Sequence, residues 1–470
     1  MPQVNPSTGG IKWKTETEGG FNIIATDAET VWAYFQEHVL FPLSELAGKD
    51  GNINMANQPF FDRVEIDISI SAPEERLGVR EEMLSVADAL HEDIYFVGLD
   101  MFKRFGEREG IKLRAPGSIV PNIRVREGAP PVFRFRIIPK SGRALVNTPK
   151  LIAIEIGASE VFGAQFQWEV PTEEEATRIS SLLGGVGSED AFPINITFTF
   201  PSGTKSCRTG YVATDELFSD LPKKGIVYQD ELQKITSNMR KRGQFIVEQT
   251  GVSCEGRAIY SVCATSSTAG LIRSAAKLTA LKPTYLMNNR HHANEVSSTG
   301  AAVEILDNLQ TDVEFAKLLK RVNVVVIPSE NVDGAALHKE LSKENPTHKL
   351  HAARFNARGK EFGEAYFLDD LATPEAQVLP YLWKKWVPDI VVDNHGIPAQ
   401  EWTQPFSGYL CPWYASFWIP RSLFYAYFWY VDDEGSPSES VAKALERVIT
   451  ISLVNDREIY SRNLDLLDRW

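Results

Sequence analysis

A strand, a polar turn and a helix follow one another in TYLMNNRHHANEVSSTGAAVEILDNL, residues 284–309. The apolar run ends near Met287, and the helical periodicity begins at Ser297. The turn between them contains His292 and Glu295, which are three residues apart and project to the same side at the start of a helix. A catalytic zinc ion takes three protein ligands, commonly His and Glu, and leaves one position open for water. This pair therefore predicts two of the three ligands of a metal site.

A third ligand must come from another part of the chain, and the best candidate is His395. It follows Asp389–Val392, an apolar run that we interpret as a buried strand. The binding sites of open α/β sheets lie just beyond such strand ends. A lone His-x-x-Glu pattern is common by chance, and a lone histidine is more often a hydrogen-bonded loop or core residue. The assignment therefore depends on the motifs around these residues.

From about residue 223 onward, strand-like and helical runs alternate along the chain. The β-branched run Val324-Val325-Val326-Ile327 is typical of a strand that is covered on both faces. Alternating strands and helices favour a layered α/β domain. The predicted strands cover Arg257–Ala264, Thr284–Met287, Asn323–Ile327 and Asp389–Val392, and the predicted helices cover Tyr228–Arg242, Ser297–Leu309 and Pro374–Trp386.

Residues 1–222 have a different pattern, which predicts an accessory α+β domain that is rich in strands. Apolar and polar residues alternate over Val64–Ile70, as they do in a half-buried strand. Similar strands are predicted at Phe133–Ile137 and Ile194–Phe200, and helices are predicted at Ala28–Leu40 and Glu81–Phe105. The boundary to the second domain, residues 223–470, is placed at Pro222. The sequence assigns no role to the first domain.

The N-terminal half is poor in candidate metal ligands. Its neighbouring His and Glu residues form two pairs, Glu37-His38 and His91-Glu92. Adjacent residues of a helix face different directions, so the members of one pair do not point at the same ion. We therefore predict solvated helix positions for both pairs and no zinc ligand from residues 1–222.

The length and composition are those of a globular protein with two domains. Chains beyond about 250–300 residues tend to split into domains, and this one has 470 residues. Its hydrophobic fraction of 43% and charged fraction of 24% are ordinary for folded domains, which argues against bulk disorder. A net charge of -13 without a stripe of Lys and Arg argues against nucleic acid as a partner.

Cysteine usage and the apolar runs predict a cytoplasmic protein without a membrane span. The four cysteines form no C-x-x-C pair, so we expect reduced, buried thiols. The first residues contain no apolar run of signal-peptide length. The stretch Tyr409–Val431 is interrupted by Pro420 and Arg421, whereas a span needs about 20 mostly apolar residues. We predict that the aromatic residues of Trp402–Tyr430 pack in the core or line a binding cleft.

Three further motifs accompany the ligand candidates. They are Gly251-Val252-Ser253-Cys254-Glu255-Gly256-Arg257 before one strand, Pro328-Ser329-Glu330-Asn331-Val332-Asp333-Gly334 after the next buried strand, and Arg354 near a second arginine, Arg358. In this order, together with the His-x-x-Glu pair and the distant histidine, they resemble the zinc carboxypeptidase family of carboxypeptidase A type. The resemblance covers residues 223–470.

The resemblance implies a three-layer α/β/α sandwich around a mixed sheet and one Zn2+ ion per chain. By the match, His292, Glu295 and His395 bind the ion, and Arg354 steadies the oxyanion. His291 is placed beside the site, because only His292 has a glutamate three residues further on. The implied activity is the hydrolysis of a peptide or isopeptide bond near the terminus of a peptide or protein substrate.

The sequence departs from the family pattern at three places, one of which is Asn294, where secreted pancreatic-type members carry a second arginine. Where the family carries an Asn-Arg pair for the free carboxylate of the substrate, this chain has Gly359-Lys360-Glu361-Phe362-Gly363-Glu364. The catalytic glutamate of the family lies far beyond the third ligand on a late strand, whereas Ser438–Trp470 has a polar helical pattern. We therefore expect a catalytic domain that is incomplete at its C-terminus. The general base would lie beyond residue 470, with Glu458 as the candidate inside the chain.

Two other functions fit parts of the sequence. The first is a catalytically inactive module of the same fold that binds zinc or a peptide. The second is a hydrolase without zinc that uses Ser297 or Ser298 as its nucleophile, which is disfavoured because neither serine lies in a G-x-S-x-G elbow. Substrate specificity and oligomeric state are not predicted from the sequence.

Overall fold

A computed structural model gives the fold of most of the chain. It describes residues 3–4, 11–13, 22–23, 25–43, 61, 63–72, 74–76, 83–108, 117–138, 150–156, 161–169, 172–174, 176–177, 192–212, 227–241, 245–266, 274–368, 373–396, 426, 428–430 and 437–467.

Seventeen strands are numbered in chain order within these residues. They are β1 Gln3–Val4, β2 Ile11–Trp13, β3 Asn22–Ile23, β4 Arg63–Ile70, β5 Glu74–Arg76, β6 Met83–Ser85, β7 Ser118–Val125, β8 Val132–Ile138, β9 Lys150–Ile156, β10 Val161–Glu169, β11 Phe192–Thr199, β12 Lys205–Val212, β13 Phe245–Val252, β14 Ala258–Ala264, β15 Thr284–Asn289, β16 Asn323–Ile327 and β17 Ile390–Asn394.

The helices of the described residues are numbered in the same way. They are α1 Asp27–Phe35, α2 Val86–Arg108, α3 Gln229–Lys241, α4 Ala275–Leu281, α5 Ser297–Thr311, α6 Val313–Ala316, α7 Val332–Leu341, α8 Val378–Trp386, α9 Ser438–Asn455 and α10 Arg457–Leu467. A π-helix at Gln36–Leu40 continues α1, and four 3₁₀ helices lie at Lys317–Lys320, His351–Ala353, Gly363–Ala365 and Pro374–Gln377.

A five-stranded mixed sheet forms the centre of the C-terminal half. Its strand order is β13-β14-β16-β15-β17. β13, β14 and β16 pair antiparallel, whereas β15 pairs parallel with both β16 and β17. β17, at one end of this order, is only partly buried, so the expectation of a buried strand at Asp389–Val392 was wrong.

Helices cover both faces of this sheet. Along β16, Val324 and Val326 point into a core that contains α3 and α5, whereas Val325 and Ile327 point into a second core that contains α4 and α8. All five residues of β16 are buried, as predicted for a strand covered on both sides. The three-layer α/β/α sandwich around a mixed sheet is thereby confirmed.

The N-terminal half contains several smaller sheets. β4 lies between β7 and β8, and α1 and α2 pack on this sheet around a core that includes Val64, Ile66 and Leu90. β9–β12 form a separate four-stranded sheet in the order β12-β11-β10-β9. α1 begins with a capping box between Thr26 and Glu29, which satisfies the first backbone donors of the helix. The predicted helix at Glu81–Phe105 starts later than expected, since β6 precedes α2.

The two halves meet in one hydrophobic core. Leu341, Leu350 and Ala352 of the C-terminal half belong to the same buried cluster as α2. Each sheet in the described part of the chain nevertheless takes its strands from one side of residue 222. The division into domains 1–222 and 223–470 stays a prediction.

Some of the sequence-based expectations fall on segments for which little is described. The aromatic stretch Trp402–Tyr430 lies outside the described residues except for 426 and 428–430, so its role in the core or cleft stays a prediction. Cys254 and Cys263 are buried and take part in no disulfide, in agreement with the expected thiols. None of the helices in the described ranges combines the length and the apolar composition needed to cross a bilayer.

Candidate metal centre

The ends of two parallel strands bring the ligand candidates together. β15 and β17 are in register so that Asn289 lies opposite Asn394. The Asn394 side-chain amide donates a hydrogen bond to Oδ1 of Asn289 at 3.0 Å. His395 follows β17 directly, and the turn with His292 follows β15, so both leave the sheet at the same edge.

A buried arginine fixes the turn that follows β15. Arg290 has a φ of 57°, in the left-handed region that non-glycine residues rarely adopt. Its side chain is 1% exposed, and Nη1 and Nε donate to the carbonyl oxygens of Val227 at 2.6 Å and Ala293 at 2.9 Å. Its backbone N–H donates to Oγ of Ser298. These contacts hold a strained backbone at the position just before the two histidines.

Three donor groups converge beyond this edge of the sheet. Nδ1 of His292 lies 2.9 Å from Oε1 of Glu295 and 3.1 Å from Nδ1 of His395. Nδ1 of His395 lies 3.0 Å from Oε2 of Glu295. The ligand atoms of the three residues all lie within 4.8 Å of one another, an arrangement that could hold a metal ion.

The chemistry of this donor set fits a divalent zinc ion. The Nδ1 atoms of His292 and His395 lie 3.1 Å apart, so only one proton fits between them. A metal cation can instead accept the lone pairs of both nitrogens and bind the carboxylate. Ligand atoms about 2.0–2.2 Å from zinc at tetrahedral angles lie roughly 3.3–3.6 Å apart. The present separations of 2.9–3.1 Å are slightly shorter, so a small outward movement of the side chains accommodates the ion.

Each candidate ligand histidine has a carboxylate on its other ring nitrogen. Nε2 of His292 lies 2.8 Å from Oε2 of Glu361, and Nε2 of His395 lies 3.1 Å from Oδ2 of Asp393. Such a partner keeps the proton on Nε2 and directs the lone pair of Nδ1 to a metal. Burial would lower the pKa of His395, but Asp393 and Glu295 outweigh burial and raise it to about 9 in the metal-free protein.

Glu295 is the most strongly held of the three ligands. Nη1 of Arg354 donates to its Oε1 at 2.9 Å, and the backbone N–H of Gly396 donates to its Oε2 at 2.9 Å. Burial would raise the pKa of Glu295, but the hydrogen bonds with the two histidines and the charge of Arg354 hold that pKa well below its usual range. The structure therefore places Arg354 directly beside the cluster as a charged neighbour of a ligand.

His291 lies behind the cluster in a buried hydrogen-bond network. Nε2 of His291 contacts Oε1 of Glu361 at 2.5 Å, and Nδ1 contacts the Tyr366 hydroxyl at 2.9 Å and Oε2 of Glu330 at 3.3 Å. Burial alone would lower the pKa of His291, but Glu330 and Glu361 raise it to about 10. Glu361 thus connects His291 to His292, and these three residues form a second group of converging donors.

The remaining site candidates lie elsewhere or are engaged. Glu458, on α10, has a side chain that is 71% exposed and forms an ion pair with Arg462. It is a solvated helix residue that belongs to neither group of converging donors in the described residues, and its role as general base stays a prediction. Oγ of Ser298 accepts the backbone N–H of Arg290 at 2.9 Å, which gives this serine a structural role in the turn.

Sequence reasoning missed the two carboxylates that hold the ligand histidines. Glu361 is 69 residues from His292, and a hydrogen-bond partner of a ligand has no fixed sequence spacing, so a single sequence carries no signal for it. Asp393 stands two residues before His395, and that proximity was the available signal.

One expectation about the N-terminal half was wrong. The side chains of Glu37 and His38 are 77% and 50% exposed, as predicted. His91 and Glu92, in contrast, are 2% and 0% exposed. They are buried because α2 packs against residues 348–352, where both side chains find polar partners.

The amino-acid sequence matches a known family over part of its length. Residues 233–363 match the model of the zinc carboxypeptidase family. The matched segment contains His292, Glu295 and Arg354, whereas His395 lies beyond its end. The match confirms the family resemblance that the motifs predict. No curated protein matches the chain in sequence.

Several solved structures are similar to part of the chain at low identity. Thrombin-activatable fibrinolysis inhibitor is 12% identical, with a TM-score of 0.29 over 40% of this chain and 55% of that chain. The bovine inhibitor, in complex with tick carboxypeptidase inhibitor, is 14% identical, with a TM-score of 0.29 over 37% and 62%. A metallo-carboxypeptidase from Burkholderia cenocepacia is 14% identical, with a TM-score of 0.30 over 54% and 68%. The alignments thus span between about half and two thirds of these proteins.

Proposed function

We propose that the protein is a zinc-dependent metallopeptidase of the carboxypeptidase type, which hydrolyses peptide or isopeptide bonds near a chain terminus. The observation that carries the proposal is the convergence of Nδ1 of His292, Nδ1 of His395 and the Glu295 carboxylate at one edge of the sheet. The match of residues 233–363 to zinc carboxypeptidases supports the identity of the metal and the class of reaction.

The three ligands would hold one Zn2+ ion per chain. A bound zinc ion supplies a Lewis acid for the scissile carbonyl and lowers the pKa of a coordinated water. Glu361 and Asp393 keep His292 and His395 in the tautomers that present Nδ1 to the ion. Both partners are carboxylates, Glu361 with a 21% exposed and Asp393 with a 39% exposed side chain, and they add negative charge that favours a divalent cation.

Arg354 is the residue that we assign to the oxyanion. Its guanidinium lies beside the cluster and its side chain is 24% exposed, so it faces both the ligands and the solvent-accessible side. A fixed positive charge at this place stabilises the negative charge that develops on the carbonyl oxygen during attack. Its hydrogen bond to Glu295 holds it there before a substrate binds.

The group that accepts the proton of the attacking water is a separate question. Glu361 and Asp393 contact the ring nitrogens that point away from the three-residue cluster. Glu330 is 0% exposed and accepts hydrogen bonds from Asn288 and Tyr366. We therefore assign the general base to none of these three carboxylates.

A catalytically inactive module that binds zinc or a peptide is the second candidate function. The observation in its favour is that the carboxylates next to the cluster, Glu295, Glu361 and Asp393, are all engaged with the histidines. The two functions share a metal and differ in turnover, so one experiment separates them.

The test combines metal analysis with a peptidase assay. Purified protein is analysed by plasma emission and assayed against blocked peptides with varied C-terminal residues, each in a form with a free and an amidated C-terminus. We expect close to one zinc per chain and hydrolysis that chelation abolishes and zinc restores. Zinc without turnover supports the inactive module, and the absence of bound zinc in protein refolded with the metal contradicts both the enzyme and a module that binds zinc.

A further inference from the structure

We propose that His91 and Glu92, on α2 of the N-terminal half, are positioning residues for Arg354. The inference rests on the proposed function, because it gives Arg354 its catalytic role. It assigns the N-terminal half a part in the active site although that half contributes no ligand to the metal cluster.

His91 contacts the backbone just before Arg354. The backbone N–H of Ala352 donates to Nε2 of His91 at 2.9 Å, and both residues are almost fully buried. Burial, together with the nearby positive groups, lowers the pKa of His91 to about 3, with Asp88 opposing this shift. The imidazole is therefore neutral and offers the lone pair that a backbone donor requires.

Glu92 contacts the same turn through a second residue. Its Oε1 lies 2.5 Å from Nδ1 of His351, and both side chains are 0% exposed. The carbonyl oxygen of His351 in turn accepts the backbone N–H of Arg354 at 2.8 Å. Two hydrogen bonds thus connect α2, through His351, to the backbone of Arg354.

The backbone of this turn is strained and depends on its surroundings. Leu350, which precedes the 3₁₀ helix His351–Ala353, has a φ of 54°. A non-glycine residue keeps such a conformation only where neighbouring structure imposes it. Leu350 and Ala352 pack in the core that α2 forms, so α2 supplies those contacts on one side.

The metal-binding turn supplies the contacts on the other side. The carbonyl oxygen of Arg354 accepts the side-chain amide of Asn331 at 3.0 Å and the backbone N–H of Ala293 at 3.4 Å. The segment is therefore held between α2 and the residues next to His292. The position of this segment determines whether the Arg354 guanidinium contacts Glu295. A displacement of a catalytic group by about 1 Å is enough to lower the rate on the order of 100-fold.

Two matched pairs of variants test the proposal. His91→Leu removes the acceptor for Ala352, whereas His91→Gln keeps an acceptor oxygen. Glu92→Leu removes the partner of His351, whereas Glu92→Gln keeps a polar group. The two Leu variants remove different contacts, so if one of them does not fold, the other can still test the proposal. Glu344→Gln is the control, because Glu344 pairs with Arg124 of the N-terminal half at 3.0 Å and is partly exposed.

Amide hydrogen exchange of residues 349–356 is the first readout, and zinc content, kcat and KM are the others. In the folded Leu variants we expect exchange of this segment to rise at least about tenfold, with zinc content unchanged. We expect kcat to fall roughly 10–100-fold while KM changes by less than about twofold, because the lost interaction acts on the transition state. The Gln variants should restore both, and Glu344→Gln should match the unmodified protein.

Unchanged exchange of residues 349–356 in a folded Leu variant would overturn the proposal. An unmodified protein that binds zinc but hydrolyses no peptide would instead contradict the proposed function. The exchange data would in that case still decide whether α2 holds the Arg354 segment, so the two failures are distinguishable.

Discussion

Nδ1 of His292 and Nδ1 of His395 face each other at 3.1 Å although 103 residues separate the two histidines in the sequence. The parallel register of β15 and β17 produces this meeting, because Asn289 and Asn394 lie side by side at the last rung of the pair. A site assembled in this way depends on the sheet as much as on its ligands.

The first prediction concerns the metal. His292→Ala and His395→Ala should each lose most of the bound zinc, because each removes one of three protein ligands. Plasma emission analysis of the purified variants gives the content directly. His338→Ala is a control, since His338 is buried and contacts Tyr228 rather than the cluster. Full zinc retention in both ligand variants would rule out the assignment.

The second prediction concerns Glu361. Glu361→Gln should lower the zinc affinity about 10–100-fold, because a neutral amide is a weaker acceptor for Nε2 of His292. Competition with a chromophoric chelator measures the affinity. Glu364→Gln is the matched control three residues away, since Glu364 is 67% exposed and pairs only with Lys360 in the described contacts. Equal affinities of the two variants would contradict the role of Glu361.

The third prediction concerns Arg354. Arg354→Ala should reduce kcat by about 10²–10³-fold, because the charge beside the developing oxyanion is lost. Zinc content should stay close to one per chain, since Arg354 is not a ligand. Steady-state kinetics measure kcat, and metal analysis measures the zinc content. Arg321→Ala is the control, because Arg321 is exposed. The idea fails if kcat is unaffected in a variant that retains zinc.

The fourth prediction concerns pH and the buried Glu92. Burial raises its pKa to about 8, against the opposing charge of Lys349. Because this folded-state pKa exceeds the ordinary value of 4.5, the folded protein holds a proton that the unfolded chain releases. The contribution of Glu92 to the free energy of unfolding is complete below pH 4.5 and is lost as the pH rises to about 8.

The variant Glu92→Gln carries a neutral amide that does not titrate, so it does not lose this stability as the pH rises. We therefore compare the free energies of unfolding in urea at pH 5 and at pH 8. From pH 5 to pH 8, the free energy of unfolding of Glu92→Gln should rise relative to that of the unmodified protein by at least about 1.4 kcal/mol, the value of one pKa unit. The comparison cancels the titration of neighbours such as Asp88 and His91, which both proteins share. A constant difference between the two proteins across this range would show that Glu92 keeps an ordinary pKa.

The fifth prediction contrasts two glycines. A Cβ at Gly334 would lie 2.5 Å from the carbonyl oxygen of Ala353 and 2.7 Å from Cβ of Ala293, so Gly334→Ala should destabilise the fold by about 1–3 kcal/mol. A Cβ at Gly300, inside α5, meets nothing within 4 Å, so Gly300→Ala should stabilise it by about 0.5–1 kcal/mol. Thermal unfolding of both variants measures the effects. If Gly334→Ala stabilised the protein, the prediction would be wrong, and Ala353 and Ala293 would have to move to make room for the new methyl group.

Four of the five strands of the central sheet could be predicted from the sequence because their patterns are local, whereas β13, Phe245–Val252, was not among the predicted strands. The run of β16 alone indicates burial on both faces, and the neighbouring motifs indicate the layered fold. The positions of His292 and Glu295 likewise follow from a short spacing. Glu361 could not be predicted, because its hydrogen bonds to two histidines depend on how a distant loop folds back.

The burial of His91 and Glu92 shows a different limit. Their adjacency on a helix was a sound reason to exclude a shared ion, and no metal group of the described residues includes them. It gave no information on exposure, because that depends on residues 349–352, whose contact with α2 no local pattern encodes.

The core shared by α2 and residues 341–352 also bears on the order of events during synthesis. His91 and Ala352 are 261 residues apart, so the partner of α2 is made long after α2 itself. At translation rates of about 5–20 residues per second, that interval is roughly 13–50 s. During this time α2 can already pack on the sheet of β4, β7 and β8, but its side that contacts residues 341–352 is without its final cover.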